Sequence, residues 1–248
     1  MPRFFLTKEQ IIEENGVKTI HISGDDAHHI ARALRMAQGE KIEACDMQSK
    51  VYYCVLTKFI EDKEIIATVE GEGQIDTEPS FEIILYQALP KSDKMEIIIQ
   101  KAVECGATKI VPFKSERCIA KVDKKDERKK LDRWQKIAES GAKQCGRGII
   151  PEIGSILTLE QMIDDAKKCD LCLFCYEAED NATIKTALKS FVSGKIAIIV
   201  GSEGGFSAYE AEKITKAGIK SVGLGKRILR CETASAFALA CIVYEKEL

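Results

Sequence analysis

Between Gly223 and Ala234 the chain sets Lys226, Arg227, Arg230 and Glu232 around the apolar pair Ile228-Leu229, just ahead of an alanine-rich segment. Arginines suit RNA phosphates, because a guanidinium stays charged and offers a planar fork of donors. The apolar pair can wall an adenine ring. A second segment, Gly201-Ser-Glu-Gly-Gly-Phe-Ser207, follows the aliphatic run Ile196–Val200. Its glycines let a backbone approach a ligand closely. The usual phosphate cradles fail here. No G-x-G-x-x-G stands at that turn, and a Walker loop ending at Gly225-Lys226 meets Lys220 where glycine is needed and Arg227 where Ser or Thr is needed. Glu203 would also repel a phosphate. An adenosyl ligand without phosphates, carrying a sulfonium cation, suits this loop better than ATP or NAD. Taken singly, each segment also reads as an ordinary connection: a strand-to-helix turn, and a surface turn with solvated bases.

Such loops work only if a scaffold aims them. After Ser80, apolar strands are expected at Phe81–Tyr86, Ile110–Phe113, Leu171–Tyr176, Ile196–Val200 and Ser221–Leu224. Helical patterns alternate with them at Met95–Cys105, Leu131–Cys145, Leu159–Ala166, Ile184–Phe191 and Ala208–Ala217, and Thr233–Lys246 closes the chain. Thr158 with Gln161 and Ser207 with Glu210 form capping boxes, and Gly218 is placed as a C-terminal cap. Alternating helices and continuously apolar strands predict an α/β domain with a parallel sheet covered on both faces. Ligands bind outside the carboxyl ends of such strands. Three strand ends therefore matter: Tyr86-Gln-Ala-Leu-Pro-Lys91 and the two segments above.

The first seventy or so residues have another texture. Short mixed strands at Thr19–Ile22, Lys41–Ala44, Val51–Phe59 and Ile65–Glu70, with a helix at His28–Met36 entered through Asp25-Asp26, fit a small β-barrel. Gly71 to Ser80 breaks every periodicity and reads as a linker. The expected division is residues 1–73 and 74–248. The net charge is only −2, yet Lys121 to Arg147 holds ten Lys/Arg against five Asp/Glu. That is a basic footprint or a solvated face. Met1-Pro-Arg-Phe-Phe-Leu opens the chain without an apolar export core, and no aliphatic run is long enough to span a bilayer. A cytoplasmic location and reduced thiols are expected for its ten cysteines. Cys169-x-x-Cys172-x-x-Cys175 lies in a strand-like segment whose alternation points positions three apart to opposite faces, so no metal site is expected.

Together these residues carry a resemblance. Gly201-Ser-Glu-Gly-Gly-Phe-Ser207 and Leu224-Gly-Lys-Arg-Ile-Leu-Arg-Cys-Glu-Thr-Ala234 resemble the paired signatures of the RsmE family of 16S ribosomal RNA uridine-N3 methyltransferases, in the SPOUT superfamily. Pro2-Arg3-Phe4-Phe5, His28-His29, Leu34-Arg35, Lys101-Ala-Val-Glu-Cys-Gly106, Gln144-Cys-Gly-Arg147 and Pro151-Glu-Ile153 extend it along the chain. Cys231 stands where a hydroxyl residue is common, and Lys143 where an acid is common. The resemblance implies a PUA- or OB-like RNA-binding barrel ahead of an α/β domain with a deep trefoil knot, and a homodimer. It implies transfer of methyl from S-adenosylmethionine to N3 of a uridine in the decoding region of 16S rRNA, in the small ribosomal subunit, with no metal and no membrane. By position, donor binding falls to Tyr176, Gly201, Ser202, Glu203, Gly204, Gly205, Leu224, Gly225, Ile228, Leu229, Thr233 and Ala234. Arg230 and Glu232 are the catalytic candidates. RNA contacts fall to Arg3, His28, His29, Arg32, Arg35, Lys91, Lys94, Gln144 and Arg147. Because neighbours do not share a helix face, at most one of His28 and His29 is expected to touch RNA. Trp134 is expected in the core. The rival from another class is a non-catalytic RNA-binding assembly factor, which would not need the two paired loops.

Overall fold

Alternating apolar and polar residues build the first of two units. Its strands are β1 (Arg3–Phe5), β2 (Ile11–Glu14), β3 (Val17–Ser23), β4 (Lys41–Cys45), β5 (Lys50–Ile60) and β6 (Glu64–Gln74), hydrogen-bonded in the order β1-β4-β5-β6-β3-β2. All pairings are antiparallel except β1 with β4. Phe4, Ile20, Ile22, Ile30, Ile42, Leu56 and Ile65 are buried together beneath the sheet. The computed structural model describes residues 1–48, 50–61, 63–119, 122–178 and 182–248, with Lys124 described by its backbone alone. Lys121 and the Lys124 side chain, in the basic stretch, therefore lie outside the described residues.

Two expectations change here. The supposed linker does not begin at Gly71, because β6 stays paired with β5 as far as Gln74, opposite Lys50. Its glycines make room rather than freedom: a Cβ on Gly73 would sit 3.0 Å from the Tyr53 hydroxyl oxygen. The helix expected at His28–Met36 starts earlier, as α1 (Gly24–His28), with Asp25 and Asp26 in its first turn. It then widens into a π turn over His29–Ala33, closed by the Leu34 N–H donating to the His29 carbonyl at 2.9 Å.

In the second unit β7 (Glu82–Ala88), β8 (Lys109–Phe113), β9 (Glu152–Ile153), β10 (Leu171–Cys175), β11 (Lys195–Val200) and β12 (Lys220–Val222) form one sheet in the order β12-β10-β11-β7-β8-β9. Every pairing is parallel. Around it lie α2 (Lys94–Glu104), α3 (Lys124–Cys145), α4 (Leu159–Ala166), α5 (Ile184–Leu188), α6 (Ala208–Lys216) and α7 (Cys231–Lys246). The capping boxes at Thr158 and Ser207 are formed, and Gly218 follows α6 with φ +88°. The expected start of α3 at Leu131 is seven residues late, since a charged turn carrying Asp126 and Glu127 precedes the apolar face. Helix α5 ends at Leu188 rather than at Phe191. Trp134 is buried.

By its internal packing the chain divides into 1–78 with 142–150, and 79–141 with 151–248. Cys175 is buried in β10, and burial pushes its thiol up to about 12. Among the described residues no three His, Cys, Asp or Glu side chains gather as metal ligands, and no helix is long and apolar enough to cross a membrane.

Candidate active site

Tyr176, the Gly201–Gly205 loop and the Gly223–Leu229 loop follow β10, β11 and β12, three adjacent parallel strands, so they emerge at one sheet edge. Under the glycine loop lies an aromatic bed. Phe206 stacks on Phe113 at 6.3 Å and meets Phe174 edge-on at 4.7 Å, while Tyr176 stacks on Phe174 at 5.3 Å. This bed dictates the glycines. A Cβ on Gly201 would fall 2.9 Å from the Phe206 ring, and one on Gly204 would fall 2.9 Å from Cβ of Arg117. Gly205 turns the chain with φ +62°, its N–H donating to the Ser202 carbonyl at 3.0 Å, and the Glu177 carboxylate crowds its α-carbon.

Ser202 is the telling residue. Its hydroxyl is buried and has no hydrogen-bond partner among the described residues. A buried polar group in that state is costly unless something satisfies it. A polar ligand on this loop would do so.

The third loop ends at Arg230, the N-cap of α7, whose backbone carbonyl accepts the Ala234 N–H at 2.8 Å. The Arg230 side chain is exposed, and it makes no ion pair among the described residues. Glu232 lies in the first turn of α7, at the positive end of the helix. Its carboxylate lies 3.4 Å from the Lys94 ammonium, which is also 2.9 Å from Glu203. Glu203 accepts the Lys91 backbone N–H at 3.2 Å and 3.3 Å through its two oxygens. Burial raises the Glu232 carboxyl, but its own backbone N–H, the Cys231 thiol and Lys94 outweigh that and hold it below the ordinary glutamate value. Glu203 is likewise lowered, burial being outweighed by Lys94 and by the backbone N–H groups of Glu203 and Lys91. The Cys231 thiol is driven up to about 12 by burial and by Glu232.

Of the other donor-site residues, Gly225 turns with φ +99°, Ile228 is 93% exposed, and Thr233 is exposed beside the part-buried Ala234. Gly223, Leu224 and Gly225 line a cavity of about 730 Å³ together with Phe237, Cys241 and Tyr244 of α7.

The RNA candidates fare unevenly. In the first unit His28, His29, Arg32, Arg35 and Gln144 are exposed. Asp25, His28, His29, Arg32 and Ala33 line one depression of about 400 Å³, so the two adjacent histidines share one side of the fold. The π turn is the reason: it adds a residue per turn and brings 28, 29, 32 and 33 to one side. Arg147 must be reassigned. Its side chain is 4% exposed and gripped by Glu78 at 2.5 Å, so it is closed to RNA. Arg3 is also committed, pairing with Glu43 at 2.7 Å and donating to the carbonyls of Gly146 and Arg147. In the second unit Lys91 is exposed, whereas Lys94 is held between two carboxylates.

Sequence reasoning passed over Gln87. This wholly buried side chain donates to the carbonyls of Gly201 and Ala88, both at 3.0 Å, and accepts from the Ser235 hydroxyl. A polar residue ending the apolar run Ile83–Tyr86 was the available signal. It also passed over Arg117, which donates to the Gly204 carbonyl at 3.0 Å.

Comparison with known proteins agrees with this geometry. Residues 77–243 match the model of an RNA methyltransferase domain, and residues 22–70 match an RNA methyltransferase PUA domain. The ribosomal RNA small subunit methyltransferase E of Bacillus subtilis is 34% identical, over 100% of this chain and 98% of that protein. The corresponding Neisseria gonorrhoeae enzyme, solved with S-adenosylmethionine, superposes with a TM-score of 0.83 at 31% identity, covering 98% of this chain and 97% of the other. A Legionella pneumophila protein in complex with the same cofactor gives 0.85 at 29%, covering 98% and 96%. Two family models in tandem and a full-length relative leave one conclusion: the chain belongs to the RNA methyltransferase family typified by ribosomal RNA small subunit methyltransferase E.

Proposed function

We propose that this protein transfers a methyl group from S-adenosylmethionine to N3 of a uridine in the decoding region of 16S rRNA, near its 3′ end, giving 3-methyluridine. The observation that carries the reading is the unpartnered, buried Ser202 hydroxyl in a glycine loop set beside the Arg230 loop, in a chain of this family. S-adenosylmethionine supplies an electrophilic methyl group on a positively charged sulfur. The chain supplies placement. Gly201, Gly204 and Gly205 let the loop pack tightly on Phe206, Arg117 and Glu177 where the donor would lie against it, and Leu224, Ile228 and Leu229 offer it apolar walls.

Arg230 acts as a fixed cation beside the target base. It favours the uracil anion as the N3 proton leaves, and the anion then attacks the methyl carbon in line. Solvent takes the proton, because Glu232 is held ionised with a depressed proton affinity. His28, His29, Arg32, Arg35, Gln144 and Lys91 hold the RNA, the cations through its phosphates.

The same reading includes a homodimer in the cytoplasm, acting on the small ribosomal subunit. Phe237 and Tyr244 leave one side of α7 apolar and exposed, which supports a second copy packing there. The deep trefoil knot belongs to the same reading and rests on the family resemblance. Calorimetry with S-adenosylmethionine in the presence of EDTA is expected to give saturable binding. Nucleoside mass spectrometry of rRNA, with and without this protein, is expected to gain and lose 3-methyluridine. No binding at millimolar donor would sink the reading.

A further inference from the structure

Lys94 opens α2, directly after the turn that leaves β7. Its ammonium lies 2.9 Å from Glu203, on the glycine loop after β11, and 3.4 Å from Glu232, in the first turn of α7. One cation thus ties together two loops that come from different strands. The side chains of all three are about a quarter exposed or less, so water screens the pairs only in part. Among the described residues the other charged or titratable group facing them is the Cys231 thiol from α7, and the Lys91 backbone N–H bonds to Glu203 from the β7–α2 turn. None of these neighbours is a second cation.

We propose that Lys94 is a positioning residue for methyl transfer, holding the glycine loop and the start of α7 at one spacing and separating the charges of Glu203 and Glu232. This rests on reading the two loops as the donor site. It also takes Lys94 out of the set of RNA phosphate contacts, since its donors face carboxylates.

The chemistry is simple. Without Lys94, two carboxylates that had shared one ammonium face each other with no cation between them. Like charges that close cannot both stay ionised at low cost, so one holds its proton to higher pH. The start of α7, which carries Arg230, then loses its charged tie to the glycine loop and keeps only the buried Gln87 link between Gly201 and Ser235. Removing Glu203 as well takes away the repulsion without restoring the tether.

The test is single-turnover methyl transfer across pH, on saturating RNA, with thermal unfolding as the folding control. Lys94→Met is expected to lower the rate by about tenfold or more and to move the acid limb of the profile to higher pH, while Lys94→Arg keeps both near wild type. The double variant Lys94→Met/Glu203→Gln is expected to return the acid limb to its wild-type position and recover part of the rate. An acid limb that Lys94→Met leaves in place would overturn the proposal. So would a Lys94→Met defect confined to RNA affinity, with a log–log salt slope reduced by about 0.7 to 0.9, which is the mark of a phosphate contact.

Glu203→Gln alone offers a measurement that does not depend on Lys94→Met folding. With Lys94 left to Glu232, the Glu232 carboxyl followed by NMR should titrate at lower pH, and an unmoved titration counts against the proposal. Wild-type protein that neither binds the donor nor transfers methyl would instead defeat the reading of the site.

Discussion

The Ser235 hydroxyl lies 2.5 Å from the side-chain carbonyl of Gln87, joining the first turns of α7 to the end of β7 inside the second unit. The Gln87 amide can face only one way, because its NH₂ meets two carbonyls, those of Ala88 and Gly201. Strand end, glycine loop and last helix therefore share one buried side chain.

Gln87→Leu should destabilise the fold by roughly 1–3 kcal/mol, since the Gly201 carbonyl and the Ser235 hydroxyl lose a partner. Ser235→Ala in the same background should add less than it costs alone. Urea unfolding of the four proteins checks this, and strictly additive costs would show that the two side chains act independently.

Arg230→Ala should keep donor affinity within a few-fold and lower the transfer rate about a hundredfold or more. The rate should recover in part at higher pH, where more uridine is already ionised. If weaker donor binding explains the whole loss, Arg230 is structural.

Arg147 and Arg35 should part company. Arg147→Ala leaves the part-buried Glu78 with the Gly148 N–H but no cation, and should cost about 1–3 kcal/mol of stability. The exposed Arg35, at φ +51°, should instead lower the slope of log RNA affinity against log salt by roughly 0.7 to 0.9 when changed to alanine. Filter binding across salt, beside thermal unfolding, separates the two effects.

Acid should erase part of the site's stability. Glu203 and Glu232 both titrate below the ordinary glutamate value, so their contribution is present above the unfolded value, about pH 4.3, and is lost as pH falls through the folded one. The gap in urea midpoint between wild type and Glu203→Gln should be widest near neutrality and should close in acid. A gap that stays constant down to pH 3 would contradict this.

Tyr244→Glu, on the exposed side of α7, should shift sedimentation from dimer toward monomer and weaken donor binding with it. A variant that remains dimeric would move the interface elsewhere.

What could be read in advance follows from how local each signal is. The strands of the second unit are runs such as Ile196–Val200, and their hydrophobicity alone announces them. The paired loops are legible because glycines and arginines sit at fixed offsets along a few residues. Arg147 was misplaced for the opposite reason: nothing beside it in sequence reveals Glu78, its partner across 69 positions. The π turn at His29–Ala33 was invisible because periodicity assumes a regular helix, and one extra residue in a turn leaves no compositional trace. Lys94 carried only its charge in sequence, and the carboxylates that define its role come from two distant loops.

The first unit also has a schedule. Arg3 donates to the carbonyls of residues 146 and 147, and Glu78 holds both the Arg147 side chain and the Gly148 N–H. Those partners are translated after most of the first unit has been made. At roughly 5–20 residues per second, the ribosome needs several seconds or more to carry the chain from Glu78 to residue 150. Throughout that interval the nascent sheet must persist with Glu78 lacking the partners of residues 147 and 148, and with Arg3 held by Glu43 alone. A fragment cut at the apparent end of the barrel would stay in that unfinished state permanently, so the amino-terminal unit is complete only as part of a longer chain.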